Sequence, residues 1–215
     1  RDANRGECAQ PCRWKYHLVE EKRPGEYFEI TEDNGTFILN SNDMCMIEHL
    51  PELIDAGISS FKIEGRMKSA YYVAAVTNAY RHAVDAAIEG RPLPKIWVEE
   101  VHKISHRKYS TGFYFGVPGQ YYSSNDSIYF TSADVCAVVE SCDSEGNALL
   151  TQRNRFCIGD TVELLTNDGE PLEFTVEKMY SKDGEPIFSA PHPMMELYLK
   201  LPKPCSPLSL LRKLK

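Results

Sequence analysis

The 215 residues predict an α/β segment of the kind that closes a TIM-like β/α barrel, followed by a small all-β barrel. Three observations predict it. A β-prone run, ISSFKIEG (58–65), leads directly into a helical pattern from Ser69 to about Glu89. The helical period stops at Gly90 and Pro92, and the composition changes after Pro94. From about Ile128 onward, six short β-prone runs alternate with turn sequences.

The elements follow in order. Residues 1–26 read as loop-rich, with Gly6, Pro11, Pro24 and Gly25. YFEI (27–30) and TFIL (36–39) flank Asp33, Asn34 and Gly35, which predicts a hairpin. NSNDMCMIEHLPELIDAG predicts a helix capped by Asn42, kinked or restarted at Pro51 and ended by Gly57. ISSFKIEG then reads as a buried strand running into a turn. In the helix that follows, Val73, Val76, Tyr80, Ala83, Val84, Ala87 and Ile88 recur at three- and four-residue steps, with Ser69 as the cap. Strand and helix in this succession build an α/β barrel.

Residues 96–127, rich in Ser, Tyr and Gly, read as an extended connector between a barrel segment (1–95) and a β-domain (128–215). The strands expected in that domain are VCAVVESC, ALLTQR, DTVELLT, LEFTVEKMY, PIFSA and MELYLKL. DSEGN, NDGE and KDGE supply turns between them. Six short strands in so few residues predict a closed barrel.

Composition excludes several classes. No run of 18 apolar residues exists, so no membrane-spanning helix is expected. A net charge of −7 argues against broad electrostatic capture of nucleic acid, though it leaves room for a local basic groove. The opening RDANRGECAQPCRWKY has no initiating Met and reads as a cut through a longer protein. Seven cysteines, at 8, 12, 45, 136, 142, 157 and 205, are an odd number without a secretory signal, which points to the cytoplasm and to thiols that are free or metal-bound.

Two stretches could carry chemistry. KIEGRMKS (62–69) holds three cations and one carboxylate between a strand end and a helix start, the edge where β/α barrels place their active sites. Helix N–H groups with Lys62, Arg66 and Lys68 suit a phosphate or carboxylate. Glu64 would orient Arg66 or act on a substrate. The competing reading is a solvated charged loop. Cys8 and Cys12 form a C-x3-C pair, a weak metal signal by itself. Cys45, placed in the first turn of a predicted helix, is favoured there as a thiolate, while a small buried hydrophobe is the commoner role for a free cysteine. Cys136, Cys142, Cys157 and Cys205, on strands or at strand ends, match no ligand spacing. The six histidines are scattered, and no HExxH, GxSxG or Cys–His signature occurs.

NRGECAQPCRWKY, NSNDMC, FKIEGRMKSAYYV and RNRFCIGDTVELL together resemble the U32 peptidase family, in the right order and over nearly the whole chain. The tail, from GD before VELL to SPLSLLRK, resembles that family's extra C-terminal domain, which is similar to the small β-barrel of translation elongation factors. The family name implies proteolysis of a collagenase-like kind. Similar members act instead in tRNA or ribosomal RNA hydroxylation, with prephenate as co-substrate for 5-hydroxyuridine at the tRNA wobble position, or in ubiquinone synthesis. Several carry a [4Fe–4S] cluster on four cysteines. The resemblance assigns two of these to Cys8 and Cys45. The other two belong to a GxCxxxSGxC motif that these residues do not contain, so an upstream barrel half of the same protein is an implied partner. Cys12 falls outside the pattern.

The preferred expectation is therefore a piece of an RNA-hydroxylating protein, acting on tRNA. Glu64 and Arg66 would be catalytic, and Lys62, Arg66 and Lys68 would hold an anionic cofactor or substrate. The alternatives are a peptidase acting on peptides and a non-catalytic binding domain. A peptidase should place a nucleophile or water-activating metal near Glu64, and an RNA enzyme should show a basic, aromatic-lined groove.

Overall fold

The structure is a computed structural model that describes residues 17–19, 27–28, 42–116 and 132–215. It consists of a few helices and an antiparallel sheet curled into a half-barrel.

The first part starts with β1 (Leu18–Val19) paired antiparallel with β2 (Tyr27–Phe28). Tyr27 and Phe28 thus pair upstream, and the expected TFIL partner lies outside the described residues. β3 (Asp43–Met44) follows, then a 3-10 turn (Ile47–His49), α1 (Leu50–Asp55), α2 (Ala70–Ile88) and α3 (Lys95–Lys103). β4 (Tyr109–Ser110) returns to pair in parallel with β3. Met46, Ile47, Leu50 and Leu53 pack with Ala79 and Ala83 of α2 and Trp97 and Val101 of α3 to form the core of this part.

Three sequence expectations change here. The helix expected from Asn42 begins only at the 3-10 turn, because Asp43 and Met44 are drawn into the β3–β4 ladder and Cys45 N–H donates to Ser110 O at 2.9 Å. Long-range pairing overrides the local capping signal. Residues 58–65 belong to no helix and no ladder, since no described segment offers them a strand partner, and Ile58 is exposed. Lys95–Lys103, expected to be connector, is helical: Trp97, Glu100, Val101 and the following Ile104 share one buried face at helical spacing.

Helix α2 matches its prediction. The Ser69 hydroxyl accepts from Tyr72 N–H at 3.2 Å, and Gly90 takes a left-handed φ of +65° to end it. Its buried stripe is Ala75, Val76, Ala79, Ala83 and Ala86, while Val73 and Ile88 are exposed. Apart from Val76, small alanines face the core.

In the second part, β5 (Ala133–Cys142), β6 (Asn147–Gln152), β7 (Phe156–Cys157), β8 (Thr161–Leu165), β9 (Leu172–Thr175), β10 (Met179–Ser181), β11 (Pro186–Ile187), β12 (Ser189–Ala190), β13 (Glu196–Lys200) and β14 (Leu210–Leu214) follow in turn. Eight of them form one antiparallel sheet in the order β11-β10-β13-β6-β5-β14-β8-β9, and β7 pairs with β12. The expected closed barrel is a curled half-barrel whose ladder ends at β9 and β11. LEFTVEKMY divides into β9 and β10, and Cys205 lies in the loop before β14 rather than on a strand. The tail LLRKL, not foreseen as a strand, is β14 and sits centrally between β5 and β8.

Because successive strand residues face opposite sides, Leu211 enters the half-barrel core and Arg212 the other face. There Arg212 meets side chains of α2 and α3. Arg212 is fully buried, donating from Nε to Glu163 at 2.6 Å, from Nη2 to Glu100 at 2.6 Å and from Nη1 to the Tyr71 hydroxyl at 3.0 Å. Lys103 pairs with the same two carboxylates at 2.9 and 3.0 Å. Asn78 Nδ2 adds a bond to Thr166 O at 3.1 Å. No helix among the described residues is long and apolar enough to cross a membrane.

Candidate functional site

Beside the 3-10 turn lies a cleft of about 500 Å³, walled by β3, residues 58–68, the start of α2 and the β4 region. Its charged lining is uneven: Lys62, Arg66, Lys68 and Arg107 face Asp43 and Glu64, an excess of two positive charges in a chain of net charge −7.

The 62–68 segment owes its shape to two local features. Arg66 N–H donates to Glu64 Oε1 at 3.0 Å, so that carboxylate folds back on its own loop. At Gly65 a Cβ would lie 2.8 Å from Val73 Cγ2, so only glycine lets the loop pass this close to α2. Lys62, Glu64 and Arg66 are exposed, and Lys68 is half-buried. Lys68 Nζ donates to Ser105 O at 3.1 Å, lies 3.7 Å from Asp43 Oδ2 and sits 5.0 Å from the Tyr72 ring centre.

Opposite this loop, Asp43 accepts from Arg107 N–H at 2.9 Å and from Arg107 Nε at 3.1 Å. Burial works against ionisation of Asp43, but the Arg107 backbone bond and the charges of Arg107 and Lys68 outweigh it, so its pKa is lowered. Cys45 is half-buried on the same wall, its Sγ 3.6 Å from the Tyr80 hydroxyl, which also accepts from Met46 N–H at 2.9 Å. Burial raises the pKa values of Tyr72, Tyr80 and Tyr109, and a thiolate at Cys45 would oppose their ionisation further. The Tyr109 hydroxyl donates to Val101 O at 2.6 Å, and its ring stacks on His106 at 4.1 Å.

The structure therefore brings Lys62, Glu64, Arg66, Lys68 and Cys45 to one cleft, with Cys45 after a strand instead of in a helical turn. Cys8, like Cys12, lies outside the described residues. Among the described residues no three His, Cys, Asp or Glu side chains are grouped to hold a metal ion. Cys136 is a buried thiol whose pKa burial pushes up to about 11. Asp43, Arg107, Tyr72 and Tyr80 were missed from sequence. Asp43 and Arg107 are 64 residues apart, and only the β3–β4 pairing joins them.

Residues 1–124 match the family model described as peptidase family U32, and residues 131–212 match its C-terminal domain. A tRNA hydroxylation protein P1 of Bacillus subtilis (strain 168) is 36% identical over 99% of this chain and 52% of its own length. A tRNA hydroxylation protein P of Escherichia coli (strain K12) is 31% identical over 94% of this chain and 54% of its own length. The chain thus spans about half the length of these curated relatives. A crystal structure of the C-terminal domain of a Geobacillus thermoleovorans protein assigned to the U32 peptidases is 31% identical, with a TM-score of 0.36, over 37% of this chain and 99% of that one.

Proposed function

The chain belongs to peptidase family U32, and from that premise we propose that it is part of a tRNA-hydroxylating protein whose cleft binds an anionic reaction partner. The observation that carries this reading is the cationic cleft in an acidic chain, together with relatives named for tRNA hydroxylation. Arg66 grips a carboxylate or phosphate through paired N–H donors, and Lys62 and Lys68 add point charge. Glu64 holds the loop that presents Arg66 and lies within reach of the substrate. A co-substrate with carboxylates, such as prephenate, fits this chemistry as well as an RNA phosphate does.

In the same reading, residues 1–95 are the closing segment of a β/α barrel completed by the rest of the protein. Residues 96–127 link it to the domain from 128 to 215, an elongation-factor-like module that contacts RNA. The protein works in the cytoplasm. Cys45 suits a thiolate ligand, since it is among the residues that line the cleft. With Cys8 and two cysteines from elsewhere in the protein it would hold a [4Fe–4S] cluster, which supplies electron transfer or structural support.

The test is the nucleoside composition of tRNA from cells with and without the gene. Loss of hydroxylated uridine on deletion is expected, and unchanged modification would refute the reading. The family description favours a second reading, a peptidase acting on peptides. Purified protein that cleaves peptides while tRNA modification survives deletion would establish it.

A further inference from the structure

At the mouth of the cleft the chain exposes three consecutive aromatic side chains. Phe113, Tyr114 and Phe115 are 78%, 56% and 61% exposed, and Tyr114 also lines the cleft. They occupy a compact turn in which Tyr114 N–H bonds to Thr111 O and Gly116 N–H to Phe113 O, both at 3.4 Å. Gly112 at φ +59° and Gly116 at φ +115° bracket the turn in conformations that other residues adopt only with strain. The turn is seated on the site: a Cβ at Gly112 would lie 3.2 Å from Met44 Sδ, and the Phe115 ring is 4.5 Å from that of His49. Aromatic side chains each bury a large apolar area when covered, so three exposed beside a cleft form a surface on which a partner can stack.

Resting on the tRNA reading above, we propose that Phe113, Tyr114 and Phe115 form a stacking platform for unpaired nucleobases of a single-stranded RNA loop. Its neighbours argue for RNA. The cleft that Tyr114 lines carries the cationic excess of Lys62, Arg66, Lys68 and Arg107. Bases on aromatic faces, with phosphates on cations one step away, is how single-stranded RNA is held. A duplex offers no free base faces to such a platform, so the arrangement selects loops over stems. It also explains how a base would be drawn out beside Glu64 and Arg66.

The test uses the intact protein and its Phe113→Ala, Tyr114→Ala and Phe115→Ala variants. Fluorescence anisotropy compares an RNA hairpin with an unpaired uridine-containing loop against a blunt duplex of equal phosphate number. Wild type should prefer the hairpin. Alanine at any one position should weaken hairpin binding about five- to a hundredfold and leave duplex binding unchanged, and Phe113→Tyr should retain it. Alanine variants that bind the hairpin like wild type would overturn the platform while leaving the tRNA reading intact. Alanine variants with melting temperatures well below wild type would also overturn it, because the rings would then be core against the rest of the protein. Wild type that binds neither RNA would overturn both.

Discussion

At the scale of single residues, Asp43 ties the two walls of the cleft together. Its carboxylate accepts from Arg107 and lies beside Lys68, so β4 and the cationic loop meet on one side chain. Its lowered pKa sets a pH dependence. A carboxyl with a depressed folded-state pKa adds stability above the unfolded value of 3.8, and that stability fades as pH falls through the folded value. Asp43→Asn should therefore melt below wild type at neutral pH, and the gap should close below about pH 4. Thermal melts of both proteins across that range check it. A gap that persists undiminished at low pH would show that Asp43 acts by shape and not by charge. The cations of KIEGRMKS were legible in sequence because they are contiguous. Asp43 and Arg107 were not, because nothing local marks a pair joined by a two-residue parallel ladder.

At the scale of elements, the start of α2 positions the cationic loop. Two substitutions probe it. Ser69→Ala removes the acceptor for Tyr72 N–H and should lower stability by about 1 kcal/mol. Gly65→Ala drives a methyl against Val73 Cγ2, on a side chain with little rotamer freedom in a helix, and should cost about 1–3 kcal/mol. Denaturant melts measure both. A Gly65→Ala protein as stable as wild type would mean that the loop shifts freely, and the cleft with it. Helix α2 was readable from its cap, period and terminal glycine. Helix α3 was not, because its nine residues span too few turns and include Glu100, whose buried charge breaks the apolar pattern. The run 58–65 has strand-like residues, yet ladder formation depends on a partner that no local signal supplies.

At the scale of the molecule, the helices and the half-barrel meet on charge. Arg212 and Lys103 balance Glu100 and Glu163 in a buried network between β14, β8 and α3, with the Tyr71 hydroxyl as a further acceptor. Burial opposes ionisation of Glu163, but Lys103 and Arg212 hold its pKa below the usual value. Arg212→Met would leave two carboxylates facing Lys103 alone, and should destabilise the protein by about 3–5 kcal/mol. Adding Glu100→Gln, which leaves Glu163 paired with Lys103, should recover part of that loss, as equilibrium unfolding of both variants would show. From sequence, Glu100 and Lys103 fell in the expected connector, and no strand was foreseen at Arg212. They become central because Lys103 meets Glu163, and Arg212 meets Glu100, across 60 residues or more of sequence, which no local pattern reports.

The proposed function stands most directly on Arg66. The decisive measurement is the uridine modification of tRNA, by nucleoside mass spectrometry, from cells in which Arg66→Ala replaces the wild-type protein at equal abundance. Hydroxylated uridine should be lost, and Arg66→Lys should restore it poorly, since a single ammonium cannot form the guanidinium's paired bonds. Full modification in the Arg66→Ala cells would contradict the assignment of this cleft as the anion site.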